Sequence, residues 1–376
     1  MANPLHELPK HGQSIWYDNL NRELIKTGAL QRMIDADAVT GGTSNSSIFE
    51  KAVGSSDAYA DDIRALADAG KSKDEAFDAL TIKDIQLCCD LFAPVYERTE
   101  GADGFCSLEV SPTIAYDTAA TTRDAKRLFA ALARANAMIK IPGTQEGLPA
   151  VEECLSTGLN INITLLFGVE NYEQVAWAYI RGLERRVQAG LAVDHIASVA
   201  SFFVSRVDTL VDQKLEKLGR MDLSGKAGVA NAKIAYAKFT EIFSGDRWQS
   251  LAAKGARVQR PLWASTSTKN PAYRDVIYVE ELIGEHTVNT LPQATLDAFR
   301  DHGVARDTLD ESVDEAFAHI RALEEAGVDF KAVTDELQTQ GVKLFSDSFE
   351  KANTTVAAKL HEMQQSAGTG ARERLA

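Results

Sequence analysis

Short apolar or β-branched runs alternate along the chain with longer stretches whose apolar positions recur at helical spacing. The short runs predict strands at Ser14–Tyr17, Ala38–Gly41, Phe105–Val110, Ala137–Ile141, Ile161–Phe167, Ser198–Val204, Val258–Ala264 and Thr287–Asn289. Helical signals follow most of them. Thr121 with Asp124 resembles a capping box opening a helix to about Asn136, and Thr81 with Asp84 another running towards Tyr96. Asn171–Gln188 ends at Gly190, and Asn231–Phe243 closes at Gly245, both glycine stops. Roughly eight strand-then-helix units predict an α/β chain folded as a (β/α)8 TIM barrel with additional helices. A doubly wound open sheet is the alternative that periodicity does not separate from it.

Two regions exceed a plain barrel. Ser55–Ala79 reads as a charged helical insertion before the third strand. Thr308–Gln365 is helical in pattern throughout, which predicts C-terminal helices packed outside the barrel. No linker splits the chain, so one domain is expected over residues 1–365, with a flexible tail at 366–376.

Composition narrows the function classes. Of the 376 residues, 45% are hydrophobic and 25% charged, a globular balance that argues against disorder. Lys+Arg number 40 against Asp+Glu 54, a net charge of −14, so a nucleic acid or an anionic bilayer is a poor partner. No run approaches the ~18–20 apolar residues of a membrane span. Met1–Gln13 is polar and lacks the apolar segment of a secretory signal, so a cytoplasmic location is expected. The four cysteines form no framework and predict buried, reduced thiols. The histidines are scattered, so no metal is expected.

In a parallel barrel, chemistry gathers where inward side chains reach the C-terminal strand ends. Met138 and Lys140 alternate with Ile139 and Ile141, and an ammonium inside such a strand is costly to bury unless it is paired or partly deprotonated. A lysine snorkelling to water is the plainer alternative. Glu109 lies on the face opposite Leu108 and Val110. Asn162 and Thr164 share a face, with Ile161, Ile163 and Leu165 on the other. Asp18 follows Ile15-Trp16-Tyr17, Thr43 and Asn45 sit in a Gly-Gly-Thr-Ser-Asn-Ser-Ser stretch, and Ser201 and Phe203 alternate in the sixth strand with Arg206 just beyond it. Singly, these residues also suit helix caps, a flexible loop, or a surface pair of Arg206 with Asp208. Together, one lysine, two acids and several amides and hydroxyls suit carbonyl chemistry. An amine attacks a ketone, loses water and forms a Schiff base that withdraws electrons from the neighbouring C–C bond.

At these residues the sequence resembles the transaldolases, in their longer bacterial branch, within the Schiff-base class I aldolase superfamily. Asp18, Thr43-Ser44-Asn45-Ser46-Ser47, Ser107-Leu108-Glu109-Val110 and Ile139-Lys140-Ile141-Pro142-Gly143-Thr144 carry the resemblance. Asn160 to Phe167, Ala200 to Asp208 and Leu262 to Pro271 continue it in family order. The resemblance implies a cofactor-free enzyme of the pentose phosphate pathway acting on sugar phosphates. It would move a dihydroxyacetone unit from sedoheptulose 7-phosphate to glyceraldehyde 3-phosphate, giving erythrose 4-phosphate and fructose 6-phosphate. Lys140 would be the Schiff-base nucleophile and Asp18 the acid/base for C–C cleavage. Glu109 and Thr164 would hold a proton-relay water, and Thr43, Asn45, Asn162 and Ser201 would bind hydroxyls or order the site. Phe203 would shape the pocket and Arg206 bind the distal phosphate. A related aldolase releasing free dihydroxyacetone is the alternative, and monomer and homodimer both fit.

The sequence departs from the family pattern in two places. Asn45-Ser46-Ser47 replaces the Asn-Pro-Ser of shorter members, and Ser265-Thr266-Ser267 stands where a Ser-x-Arg is common. Lys269 is the candidate to supply the missing second cation beside Ser265. Arg257 and Arg260, around the start of the seventh strand, are expected on the wrong side of it to reach the mouth easily.

Overall fold

The structure is a computed structural model that describes residues 3–373, with side chains described as far as Gln365. Eight strands close into an all-parallel barrel in sequence order. They are β1 (Gln13–Tyr17), β2 (Val39–Thr43), β3 (Cys106–Glu109), β4 (Ala137–Pro142), β5 (Ile161–Leu166), β6 (Ser198–Phe203), β7 (Arg260–Ala264) and β8 (Thr287–Leu291). β8 pairs back onto β1 from Gln13↔Thr287 to Tyr17↔Leu291, which excludes the open-sheet alternative. Each expected strand is present, with ends shifted by at most a few residues.

The strand period sorts side chains onto two surfaces. Ile139, Ile141, Ile161, Ile163, Phe202 and Trp263 pack with the surrounding helices. Trp16, Phe105, Met138, Val199, Leu262 and Val288 form a separate buried cluster that fills the barrel below the polar strand ends. Trp16 is accommodated because position 41 is glycine: a Cβ there would lie 2.6 Å from the indole Nε1. Leu165 departs from the expected alternation. The β5–β6 register slips between Ile163 and Leu166, and Leu165 takes φ 62. This bulge takes Leu165 out of the Ile161–Ile163 face and into the cluster containing Phe167.

Several helix starts differ from the sequence reading. The helix before β4 spans Thr118–Leu132 and is capped by Asp117, whose carboxylate accepts from Ala120 N–H at 2.9 Å. Thr121 instead donates to Ile114 O, and Asp124 accepts from Ser111 N–H. Thr81 and Asp84 lie within a 26-residue helix, Lys73–Arg98, whose capping box is Ser72 with Glu75. Ser55–Ala79 is therefore not one insertion: it comprises a short turn, the helix Ala60–Asp68 and the first turns of that long helix.

The C-terminal region is two helices, Val313–Glu325 and Phe330–Glu373, separated at Gly327 (φ 96). The second does not stay outside the barrel. Its Gln338 donates to Gly143 O and Leu165 O, at the C-terminal ends of β4 and β5. Ser348 accepts from Ser47 just beyond β2. Ala352, Val356 and Leu360 then pack with Phe49, Tyr59 and Phe77. This terminal helix thus crosses the mouth. Its backbone is helical through Glu373, and the last three residues of the expected tail lie outside the described residues.

Candidate active site

Parallel register brings distant residues to one height. Glu109 on β3 is the partner of Lys140 on β4, and Lys140 is the partner of Asn162 on β5. Lys140 is 6% exposed, so the snorkelling alternative does not hold. Its Nζ lies 3.8 Å from Glu109 Oε2 and 5.2 Å from the centroid of the Phe345 ring. Asp18 is the first residue beyond β1, its N–H bonded to Leu291 O, and its carboxylate accepts from Thr43 Oγ1 at 3.4 Å.

A cavity of about 210 Å³ opens at this end of the barrel. Asp18, Thr43, Asn45, Lys140, Thr164, Ser201, Phe203, Arg206, Ser265 and Lys269 line it. Of the expected residues, Glu109 and Asn162 stand behind that lining. Asn162 is fully buried, donating to Ser107 Oγ at 3.0 Å and accepting from Ser201 Oγ at 2.7 Å. These bonds tie it to Ser201, which lines the cavity. Asn45 divides its role: its Oδ1 caps the helix Ser46–Ser55 by accepting from Ile48 N–H, while the residue lines the cavity.

The two acids share an electrostatic setting. Burial pushes Asp18 up to about 6, opposed by the charge of Lys140, the Thr43 hydroxyl and the more distant Lys269 and Arg206. Burial pushes Glu109 up to about 7, again opposed by Lys140. Both Glu109 oxygens and Thr164 Oγ1 are buried without a hydrogen-bond partner. A buried carboxyl with its pKa raised to about 7, held close to an amine, has free lone pairs and a proton to exchange.

The cations occupy the other side of the lining. Arg206 opens the helix Ser205–Leu218 and lies over the Phe203 ring at 5.4 Å. It forms no surface pair with Asp208, which is buried and accepts from Tyr278 Oη at 2.6 Å and Gly228 N–H at 2.7 Å. Ser265 takes φ 56 at the end of β7, and its Oγ lies 3.0 Å from Ser205 Oγ. Lys269 follows in the same loop and donates to Ser267 Oγ at 2.7 Å. Arg260 begins β7 at the opposite end, bonded to Ser14 Oγ and Thr287 O, and Arg257 donates to Glu100 O. Neither faces the mouth.

Sequence reasoning assigned no role to Ser107, Ser267, Thr290 or Phe345. Ser107 and Thr290 share the inward parity of Glu109 and Val288, a signal that could have found them. Phe345 arrives from a remote helix and has no such signal. Among the described residues, no group of three or more His, Cys, Asp or Glu side chains is arranged to hold a metal ion.

The sequence pattern of the transaldolase/fructose-6-phosphate aldolase family matches residues 15–356. A protein named transaldolase 2 from Nostoc sp. is 46% identical over 372 residues, covering 95% of this chain and 98% of its own length. A transaldolase from Acidothermus cellulolyticus is 47% identical over 371 residues, covering 98% of this chain and 100% of its own. One from Trichodesmium erythraeum is 47% identical over 375 residues, covering 96% and 98%. With that match over most of its length and Lys140 buried among these acids and hydroxyls, the chain belongs to the transaldolase/fructose-6-phosphate aldolase family.

Proposed function

We propose that the protein is a transaldolase, transferring a dihydroxyacetone unit between sugar phosphates through a Schiff base on Lys140. The observation that carries the reading is Lys140 itself: 6% exposed, within 3.8 Å of Glu109, and lining one cavity with Asp18 and Thr164. In this mechanism Lys140 Nζ attacks C2 of sedoheptulose 7-phosphate. Glu109, with a water held against Thr164, moves the protons that let the C2 oxygen leave as water. The protonated imine draws electrons from the C3–C4 bond while Asp18 takes the proton of the C4 hydroxyl, releasing erythrose 4-phosphate. The enamine's C3 then bonds to C1 of glyceraldehyde 3-phosphate, whose oxygen takes the proton back from Asp18. Water hydrolyses the new imine and frees fructose 6-phosphate.

Substrate recognition follows the charge layout. Thr43, Asn45 and Ser201 offer hydrogen bonds to hydroxyls, Arg206 binds the distal phosphate, and Lys269 with Ser265 replaces the missing second arginine as a point charge. The near-full-length relatives are named transaldolases, which supports the transferase over the aldolase that releases free dihydroxyacetone. Cofactor-free turnover in the cytoplasm belongs to the same reading. No described helix is long and apolar enough to cross a membrane.

Borohydride reduction in the presence of fructose 6-phosphate, followed by peptide mapping, tests this. The expected result is one stable adduct, on Lys140. Labelling at another residue, or none, removes the mechanism.

A further inference from the structure

We infer that Phe345, delivered by the terminal helix, shields the enamine carried by Lys140 from protonation by bulk solvent and so directs it to an acceptor aldehyde. The inference rests on the transaldolase reading above. Among the described residues that line the cavity, Phe345 is the one contributed by the terminal helix Phe330–Glu373. Its ring faces Lys140 Nζ at 5.2 Å, as Phe203 faces Arg206 at 5.4 Å. Lys140 and Arg206 thus each have an aromatic face over them, whereas Lys269 leans on Ser267.

The ring's position is held from both sides. Two helical turns earlier, Gln338 donates to Gly143 O at 3.1 Å, Leu165 O at 3.2 Å and Asn171 Oδ1 at 3.0 Å. One turn later, Ser348 accepts from Ser47 at 2.6 Å, and Lys351 pairs with Glu50. The helix approaches closely because position 341 is glycine: a Cβ there would meet Leu165 Cδ2 at 3.0 Å. These contacts join the β4–β5 rim to the β2 rim, with Phe345 between them. Phe345 is half-buried: it packs at the edge of the cluster that contains Phe203 and Leu262, and it also lines the cavity.

The chemistry explains what the ring does. An aromatic face favours cations within about 6 Å, so it stabilises the protonated imine that draws electrons from the C3–C4 bond. The enamine left after cleavage is neutral and has two fates. Its C3 forms a bond to the acceptor's carbonyl carbon, the acceptor oxygen taking the proton held by Asp18. Alternatively C3 takes a proton, the resulting imine adds one water at C2, and free dihydroxyacetone leaves Lys140. Both routes end in hydrolysis of an imine, but only the second begins with a proton delivered to C3, and an apolar ring beside the enamine offers none and keeps bulk solvent from supplying it.

The test uses the full-length enzyme with fructose 6-phosphate and erythrose 4-phosphate. It measures sedoheptulose 7-phosphate formed by transfer against free dihydroxyacetone released. Phe345→Ala is expected to raise the released-to-transferred ratio by roughly tenfold, equivalent to about 1.4 kcal/mol of lost discrimination. Phe345→Leu, which keeps bulk but has no aromatic face, is expected to raise it only a few-fold and to lower the yield of borohydride adduct. A parent-like ratio in the Ala variant overturns the inference. If the Ala variant does not fold, a parent-like ratio in the Leu variant does so. A parent enzyme that forms no Lys140 adduct and no sedoheptulose 7-phosphate defeats the transaldolase reading, and this inference with it. A parent that transfers normally while the ratio stays fixed defeats the shielding role alone.

Discussion

Glu109 and Lys140 are register partners on adjacent strands, with Oε2 3.8 Å from Nζ, yet neither Glu109 oxygen accepts a hydrogen bond. The separation exceeds a hydrogen bond, so the carboxyl is held beside the amine without being tied to it. Burial holds it near neutrality, at about 7. A group poised there both gives and takes protons, which imine formation and hydrolysis alternately require.

Removing that charge should separate stability from function. Because folding raises the Glu109 pKa from 4.5 to about 7, its contribution to stability is present below pH about 4.5 and is lost as pH rises through 7. Glu109→Gln has no charge to lose. We expect it to be more stable than the parent at pH 8 by about 1–3 kcal/mol, and close to the parent near pH 4. Urea unfolding at both pH values measures this. Turnover should fall by roughly 10²–10⁴. A variant with equal advantage at both pH values would remove ionisation of Glu109 as the cause.

Asp18 should act after the imine has formed. Its carboxyl is pushed up to about 6 and must be ionised to take the C4 hydroxyl proton. The kcat/KM for a ketose phosphate should therefore fall tenfold per pH unit below about 6. Asp18→Ala should still give the Lys140 borohydride adduct, while turnover drops by roughly 10²–10⁴ and that acid limb disappears. Equal loss of adduct and turnover would take Asp18 out of the cleavage step.

The inward set was legible because two regularities combine. The strand period of two put Lys140, Glu109, Thr164 and Ser201 opposite their apolar neighbours, and parallel closure carried those strand ends to one mouth. What failed involved long-range contacts. Asp84 looked like half of a cap, but it is buried in the long helix because Arg22 and Tyr59 donate to it from other elements. Leu165 changed face because one bulge breaks the alternation, and periodicity has no term for a bulge. The terminal helix read correctly as helix, but its course over the mouth depends on Gln338 meeting carbonyls of β4 and β5. That meeting is decided by tertiary packing.

The two cations should contribute unequally. Arg206 is largely desolvated over Phe203, with Asp18 the acid that steadies its charge, whereas Lys269 sits in a loop and leans on Ser267. Arg206→Ala should raise KM for phosphorylated donors by roughly 10²-fold, the loss of a charge-assisted pair worth about 2–3 kcal/mol. Lys269→Met should raise it only a few-fold, as expected for an exposed point charge. Dihydroxyacetone transfer from an unphosphorylated ketose should be nearly indifferent to both. Steady-state kinetics with paired phosphorylated and unphosphorylated donors reads the difference, and equal effects on both donors would deny these residues a phosphate role.

Asn162 should act by holding its neighbours. Its amide bridges Ser107 Oγ at 3.0 Å and Ser201 Oγ at 2.7 Å, and its strand position is the register partner of Lys140. Ser201 lines the cavity but Asn162 does not, so any direct effect on substrate passes through the Ser201 hydroxyl. Asn162→Ala opens a space inside a closed barrel and leaves two hydroxyls without their partner, which should cost about 2–4 kcal/mol. Ser201→Ala removes a single hydroxyl from the same chain and should cost about 1 kcal/mol. If the chain serves mainly to orient Ser201, both variants should raise KM for the donor by similar factors, despite their different stabilities. A rise in KM with Asn162→Ala that far exceeds that with Ser201→Ala would mean that the amide positions Lys140 across β4 and β5. In that case the rate of borohydride trapping would fall with it, while Ser201→Ala would trap at the parent's rate.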